Sequence, residues 1–276
     1  MSNILEISGL SVHFNTSRSE ILAVDNVDII VPIGRTTCIV GESGSGKSTV
    51  VHAVMRLLGK EAEITGRVTY AGENLLSLPE KAMRMLRGKE ISMIFQNPGS
   101  FLNPTKTIGQ QIIEPLLYHH LHGAAAARRI GTELLREVGI SDADLRFDNY
   151  PFEFSGGMLQ RAIIAMALIA EPTILIADEP TTALDVTIQA EVLRLIKRLQ
   201  AERHMTVIFI THDLAVAAQM ADDIYVMRRG KVVDHVTATD ILNTENHVYL
   251  QGLLRAIPRM DGPRVPLPVV EMERVE

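Results

Sequence analysis

A single cysteine, Cys38, occurs in the 276 residues of the chain, and without a second thiol neither an internal disulfide nor a cysteine metal cluster can form. A reducing, intracellular compartment is expected. Basic residues do not predominate either: 27 Lys and Arg stand against 33 Asp and Glu, for a net charge of -6. A dedicated nucleic-acid binder needs surplus cations to replace phosphate counterions, so no nucleic-acid partner is expected. Long apolar runs are also missing. The longest, Ala162 to Ala170, falls far short of the ~20 residues that a membrane-spanning helix requires. The segment Met1 to Leu10, which carries Asn3 and Glu6, lacks the basic start, apolar stretch and cleavage site of a signal peptide. Any service to a membrane is expected to be by docking.

What is present is an apolar fraction of 46%, enough to bury a sizeable core in one large domain or two small ones. Short β segments are predicted at Ile4 to Ile7, Val27 to Val31, Thr37 to Val40 and Arg67 to Tyr70, the last before the turn Ala71-Gly72. A helix from Ser48 to Leu58 interrupts them, with Val50, Val51, Val54, Leu57 and Leu58 at helical spacing and Gly59 as its stop. After a strand at Ile91 to Phe95, most of 105–170 reads as helical. Ala124 to Val138 closes at Gly139, and Gly157 to Ala170 closes before Pro172. Strand and helix then alternate: Thr173 to Ala177, a helix burying Ile188, Val192, Leu195, Ile196 and Leu199, and Thr206 to Ile210, as in a mainly parallel sheet. A hairpin is expected around Arg229-Gly230, and an extended tail from Pro258.

Between the apolar segment Thr37 to Val40 and the first helix lies Gly41-Glu42-Ser43-Gly44-Ser45-Gly46-Lys47-Ser48. Glycines at this spacing let the backbone curl around an anion with consecutive N–H groups pointing inward. The helix adds its positive end. Lys47 is placed to bridge β- and γ-phosphates, and the Ser48 hydroxyl to bind Mg²⁺. The second apolar segment ends in Asp178-Glu179-Pro180, so a buried parallel strand delivers two acids at its C-terminal edge, where ligands bind. Asp178 suits the metal's water shell. Glu179 suits polarisation of an attacking water. No Asn-Lys-x-Asp guanine-reading box occurs, and by itself the loop predicts a bound nucleoside triphosphate, with other phosphate-loop classes still open.

Phe154-Ser155-Gly156-Gly157-Met158-Leu159-Gln160-Arg161, upstream of Asp178-Glu179, resembles the signature motif of the ATP-binding cassette (ABC) ATPases. Ser155 suits a helix N-cap, and bare Gly156 and Gly157 make a second anion site. The resemblance extends over 4–255 and implies an α/β fold: a phosphate-loop (RecA-like) core with a mainly parallel sheet, an N-terminal antiparallel β subdomain and an inserted helical subdomain. The implied division is a nucleotide-binding core with its antiparallel subdomain over 1–98 and 171–250, a helical signature subdomain over 99–170, and a C-terminal tail over 251–276. Gln96 matches the glutamine that senses metal and γ-phosphate, Ala183-Leu184-Asp185 the D-loop, and His212 the switch histidine. Phe14 matches the aromatic that stacks on adenine, although an aromatic among β residues is also ordinary packing. The resemblance thus assigns catalysis to Glu179, His212 and Gln96, and the metal to Ser48, Gln96 and Asp178. Nucleotide contacts fall to Phe14, Gly41, Ser43, Gly44, Ser45, Gly46, Lys47, Ser48, Thr49, Ser155, Gly156, Gly157 and Asp185.

Met158 stands where the family's usual glutamine would be, but the backbone donors survive that change. Tyr150 to Met158, Asn97-Pro98 with Leu102-Asn103-Pro104, and His247 to Leu254 are similar to the peptide/nickel importer branch. That branch implies a binding-protein-dependent uptake system on the cytoplasmic face of the cell membrane. Two ATPase subunits of different sequence, two transmembrane permease subunits and an extracytoplasmic binding protein belong to it. Many peptide-type relatives continue into a cysteine-bearing extension, and its absence here favours nickel or a metal chelate over peptide. An exporter's ATPase, or a soluble ABC ATPase acting on DNA or ribosomes, is the alternative; the second calls for a long coiled-coil insertion or tandem cassettes. The family's mechanism closes the signature loop of one subunit over ATP held by the phosphate loop of another. The membrane subunit's coupling helix is expected on the helical insertion, at Phe101 to Leu117 especially. Tyr118-His119-His120-Leu121-His122 lacks acidic or cysteine company and reads as a solvated interhelical loop rather than a metal site. Arg128-Arg129 reads as a solvated helix face.

Overall fold

The structure, a computed structural model, describes residues 2–15, 20–96, 101–182, 184–241 and 251–252. Its centre is a six-stranded sheet in the order β10-β9-β3-β8-β7-β6. The strands are β3 (Thr36–Val40), β6 (Ile91–Ile94), β7 (Ile174–Asp178), β8 (Thr206–Thr211), β9 (Asp223–Arg228) and β10 (Lys231–Thr237). All neighbours pair in parallel except β9 with β10, the predicted hairpin. Every residue of β3, β6, β7 and β8 is buried, which explains their continuous apolar runs: a parallel sheet covered on both faces has no solvent side to alternate with.

The two faces feed two cores. Cys38, Val40, Leu175, Ala177, Val207 and Phe209 point into one, with the helical region; Ile39, Ile174, Ile176, Ile208 and Ile210 point into the other. The second core is roofed by a four-stranded antiparallel sheet, β2-β1-β4-β5, made of β1 (Asn3–Asn15), β2 (Glu20–Pro32), β4 (Ala62–Tyr70) and β5 (Glu73–Asn74). Helix α1 (Lys47–Val54) packs in this same core through Val50, Val51, Ala53 and Val54. Strands β1, β2 and β4 run several residues beyond their predicted ends, because irregular register at Gly9, Asn26 and Gly66 lets the ladders continue past polar positions.

Helix α1 stops at Val54, short of the predicted Leu58. Arg56 takes a left-handed conformation, with φ 52, and Arg87, which follows α2 (Glu80–Leu86), donates to the carbonyls of Met55 and Arg56. A cap supplied from distant sequence ends the helix early, and Leu57 is exposed rather than on a buried face.

The insertion is helical as read: α3 (Ile108–Ile112), α4 (Glu114–Tyr118), α5 (Ala124–Glu137), α6 (Ala143–Arg146) and α7 (Gly156–Leu168). Gly139, at φ 86, ends the stretch after α5. Helices α8 (Val186–Arg203) and α9 (Leu214–Met220) complete the alternation with the parallel strands. The short α2 and α9 leave no legible periodicity in the sequence, since seven residues carry barely two turns of pattern.

One surface reading is corrected and one holds. His119 is buried, and its Nε2 pairs with the Arg87 carbonyl at 3.0 Å, so this histidine ties the end of α4 to the core instead of lying in solvent; His120 and His122 are exposed. Arg128 and Arg129 lie on an exposed helix face as read, where Arg128 forks onto the exposed Asp148 through both terminal nitrogens and lies 4.4 Å above the Phe147 ring. Among the described residues no group of three or more metal-binding side chains occurs, and no helix is long and apolar enough to cross a membrane. Asn97-Pro98, Ala183 and most of His247 to Leu254, together with the tail from Pro258, lie outside the described residues.

Candidate functional site

The loop between β3 and α1 is shaped by glycines that nothing else could replace. Gly44 and Gly46 have φ 79 and 99, the left-handed region that costs a side chain dearly. A Cβ on Gly46 would strike the Ala23 carbonyl, and one on Gly41 would strike the Met227 carbonyl and Ser45 Oγ. The loop is therefore wedged between β2 and β9 at the start of α1, whose first-turn amides have no partners within the helix. Lys47 is buried and donates to the carbonyls of Gly41 and Glu42, each at 2.8 Å. Burial lowers its pKa, while Glu179, Asp178 and Glu42 act in the opposite sense. Ser45 Oγ is buried without a hydrogen-bond partner.

A cavity of about 340 Å³ opens above this loop. Its floor is Ser43, Gly44 and Gly46 to Thr49; Ile21, Leu22 and Ala23 form an apolar wall, and Gln96 and Glu179 stand at the polar end. Phe14 does not line it. It is half-buried against the roof core, but it pairs across the ladder with Ile21, which does. Directly opposed residues share a sheet face, so Phe14 stands next to the apolar wall.

Asp178 closes β7 and is buried, and its Oδ1 accepts a hydrogen bond from Ser48 Oγ at 2.9 Å. Burial raises its pKa; the Ser48 bond, His52 and Lys47 pull it down, and Glu179 pushes it up. The next residue, Glu179, sits at φ 45, a strained conformation for a non-glycine residue, with its N–H on the Ile210 carbonyl at 3.1 Å. That twist sends the two neighbouring carboxylates to different neighbours. Glu179 Oε2 accepts from Gln96 Nε2 at 2.9 Å and from Thr182 Oγ1 at 3.0 Å, and His212 Nδ1 lies 3.3 Å from the same oxygen.

Gln96, Glu179 and His212, spread across the chain, are thus gathered on one oxygen beside the phosphate loop. Thr182 was not among the sequence candidates. Its signal was available: a hydroxyl three residues after an acid at a strand-to-loop corner is placed to return to that acid's side chain. His52, facing Asp178 from α1 at 3.6 Å, was also missed.

The remaining candidates are not brought to this cavity. Ser155 caps α7, its Oγ accepting from Met158 N–H at 3.4 Å, and Ser155 and Gly156 are exposed. Asp185 caps α8 by accepting from Ile188 N–H at 3.0 Å. Neither these residues nor Gly157 lines the cavity.

The chain thus carries a phosphate loop after β3, two acids at the end of β7 with β8 between the two strands, and a separate glycine-flanked helix cap. The family described as ABC transporter matches residues 24–182. The chain belongs to that family. This ABC ATPase is 46% identical over 261 residues to the dipeptide transport ATP-binding protein DppD of Lactococcus lactis, covering 94% of this chain and 75% of that one. It is 45% identical over 264 residues to the oligopeptide transport ATP-binding protein OppD of Bacillus subtilis, covering 95% and 74%. Among solved structures it resembles the dimeric, post-hydrolysis ATP-binding cassette MJ0796 bound to ADP and Pi, with a TM-score of 0.76, 27% identity, and 85% and 98% of the two chains covered. The expected fold is borne out, and the chain binds and hydrolyses ATP as an ABC ATPase. The names of these two relatives speak of peptides, and nickel appears in neither.

Proposed function

We propose that this chain is a motor subunit of a peptide importer, in which it hydrolyses ATP with magnesium at the Gly41 to Ser48 loop. The observation that carries the catalytic reading is the cluster at Glu179: one carboxylate oxygen held by Gln96 and Thr182, with His212 beside it, at the polar end of the phosphate-loop cavity. A carboxylate so held is oriented as a general base toward a water between it and the loop. His212 and Gln96 are placed to register the terminal phosphate. Lys47 leaves its loop carbonyls for phosphate oxygens, and Ser43 to Thr49 bind the phosphate chain. Phe14 and Ile21 offer an apolar wall for the base.

The donors around Asp178 fit a small hard cation: Ser48 and Asp178 present oxygens to each other at 2.9 Å, and Gln96, whose amide also carries an oxygen, lines the same cavity as Ser48. Bound there with its water shell, magnesium neutralises charge on the phosphates. Ser48, Asp178 and Gln96 are the residues that would hold it.

Ser155, Gly156, Gly157 and Asp185 lie off the cavity, and the signature cap is exposed. This supports a site completed by a second ATPase subunit in head-to-tail association, each signature cap covering the other's nucleotide; the dimeric cassette named above lends the same support. The peptide names of the relatives make peptide the proposed cargo. Two permease subunits and an extracytoplasmic binding protein complete the system, with this chain docked on the cytoplasmic membrane surface. Exposed apolar side chains support a docking face at the helical insertion: Phe101, Leu117 and Tyr118. The division into core (1–98 and 171–250), helical subdomain (99–170) and tail (251–276) belongs to the same reading.

The test is reconstitution in vesicles with permease subunits and a binding protein of the same system. Peptide-loaded binding protein is expected to stimulate phosphate release several-fold, and a nickel chelate is not. Stimulation by nickel alone would reassign the cargo, and full hydrolysis by this subunit without a second ATPase chain would remove the pairing of different subunits.

A further inference from the structure

Helix α1 presents two polar side chains to Asp178, one turn apart. Ser48 donates to Oδ1 at 2.9 Å, and His52 places its Nε2 3.6 Å from Oδ2. Residues four apart share one face of a helix, so α1 addresses both oxygens of a single buried carboxylate. The remaining α1 residues nearby, Val50, Val51, Ala53 and Val54, are apolar and fully buried. His52 is thus the one polar side chain in α1 after its first turn.

The Nε2 atom of His52 is buried and has no hydrogen-bond partner. A buried polar atom without a partner is costly and rare. Here Nε2 lies 3.6 Å from Asp178 Oδ2, just beyond normal hydrogen-bond reach. The ring has an aromatic neighbour: its centroid lies 6.3 Å from that of Phe95, tilted by 58°, and Phe95 is itself stacked on Phe101 at 4.1 Å. Phe95 leads directly into Gln96, so the same ring contact anchors the histidine beside the segment that reaches Glu179.

We infer that His52 is a positioning residue for Asp178: its Nε2–H faces Oδ2 from 3.6 Å as an electrostatic donor while Ser48 hydrogen-bonds Oδ1, so that the carboxylate faces the divalent cation in one fixed orientation. The inference rests on the proposed reading of Asp178 as a metal-holding residue. A carboxylate with donors on both oxygens does not rotate about its terminal bond, and its orientation toward the cation then costs no ordering when the cation arrives.

The test uses Mn²⁺ as the probe, titrated by electron paramagnetic resonance into the full-length chain with ADP, and fluorescent ADP titrated separately in EDTA. His52→Leu is expected to weaken Mn²⁺ binding by about tenfold or more, the range found when a hydrogen bond behind a metal ligand is lost, while ADP binding in EDTA stays unchanged. His52→Gln, whose amide nitrogen reaches the same point, is expected to bind Mn²⁺ within about threefold of the parent, because one donor replaces another. His52→Met, also without a donor, serves if the leucine variant fails to fold. Unchanged Mn²⁺ affinity in the donor-free variants, or an equal loss in His52→Gln, overturns the inference. Asp178→Asn separates the two levels. If it leaves Mn²⁺ affinity intact, the reading of Asp178 falls; if it weakens binding and the donor-free His52 variants do not, only the role of His52 falls.

Discussion

Gln96 and Glu179, 83 residues apart, meet through a single hydrogen bond from the amide Nε2 to the carboxylate Oε2 at 2.9 Å. The strands that deliver them, β6 and β7, are neighbours in the parallel sheet, and parallel neighbours end on the same side. A residue just past the end of one strand therefore reaches a residue just past the end of the next. Any ligand that draws Gln96 toward itself must release or reshape this contact with Glu179, so on the proposed reading of Glu179 as the base, nucleotide occupancy and its orientation are linked by one amide.

Glu179→Gln keeps the shape of the side chain and removes its basicity. ATP binding is expected to persist while turnover falls by about 10²–10⁴-fold, the usual worth of a positioned general base. Retention of radiolabelled ATP together with single-turnover phosphate release checks both halves. Appreciable residual hydrolysis would take Glu179 out of this role.

Thr182→Val deletes the hydroxyl that donates to Glu179 at 3.0 Å and preserves the side chain's outline. A hydrogen bond to a charged acceptor is worth about 1.5–3 kcal/mol, so kcat should drop by roughly tenfold or more with little change in KM. Thr182→Ser should recover most of the loss. Steady-state kinetics on the three proteins decides the matter, and a rise in KM at constant kcat would point to substrate binding instead.

Lys47→Ala and Gly46→Ala act on binding rather than on the base. Removing the lysine loses charge-assisted contacts worth about 1.5–3 kcal/mol each, so ATP affinity should fall by at least about tenfold. Gly46→Ala forces a side chain onto φ 99 and against the Ala23 carbonyl, and should both weaken ATP and lower the unfolding midpoint. Equilibrium titration with a fluorescent nucleotide and thermal melts distinguish the two variants, since Lys47→Ala should lose affinity with the smaller loss of stability.

Asp178 supplies a test by pH. Burial raises its pKa above the ordinary 3.8, so the folded chain holds this proton more tightly than the unfolded one. The folding stability it contributes is then greatest below the ordinary carboxylate range and declines as pH rises through the raised pKa. Near neutral pH the ionised group costs stability, and Asp178→Asn should raise the unfolding midpoint in the absence of nucleotide. The advantage should shrink as pH falls toward 3.8. A midpoint that drops near neutral pH in the variant would show that the Ser48 bond outweighs the cost of burial.

Local sequence was enough wherever function depends on the backbone or on an unbroken buried strand. Gly44, Gly46, Lys47 and Ser48 announce their loop because only glycine takes those φ values and because the lysine and hydroxyl must follow at fixed register. The runs ending at Val40, Ala177 and Ile210 announce a covered parallel sheet, since covering both faces removes alternation. Ser155 and Asp185 could be read as helix caps from their neighbours alone. What lay beyond local sequence was whatever depends on side chains meeting across the fold. That Thr182 and Gln96 share one oxygen of Glu179, that His52 faces Asp178, and that Arg87 ends α1 before Leu57 are consequences of strand order and helix packing. The sequence by itself determined the phosphate loop, the acids and the sheet that carries them. The tertiary structure decided that the signature cap stands apart from the cavity, because α7 is anchored by its buried face in the core beneath the helical region and its exposed N-terminus cannot turn back to the loop of its own chain.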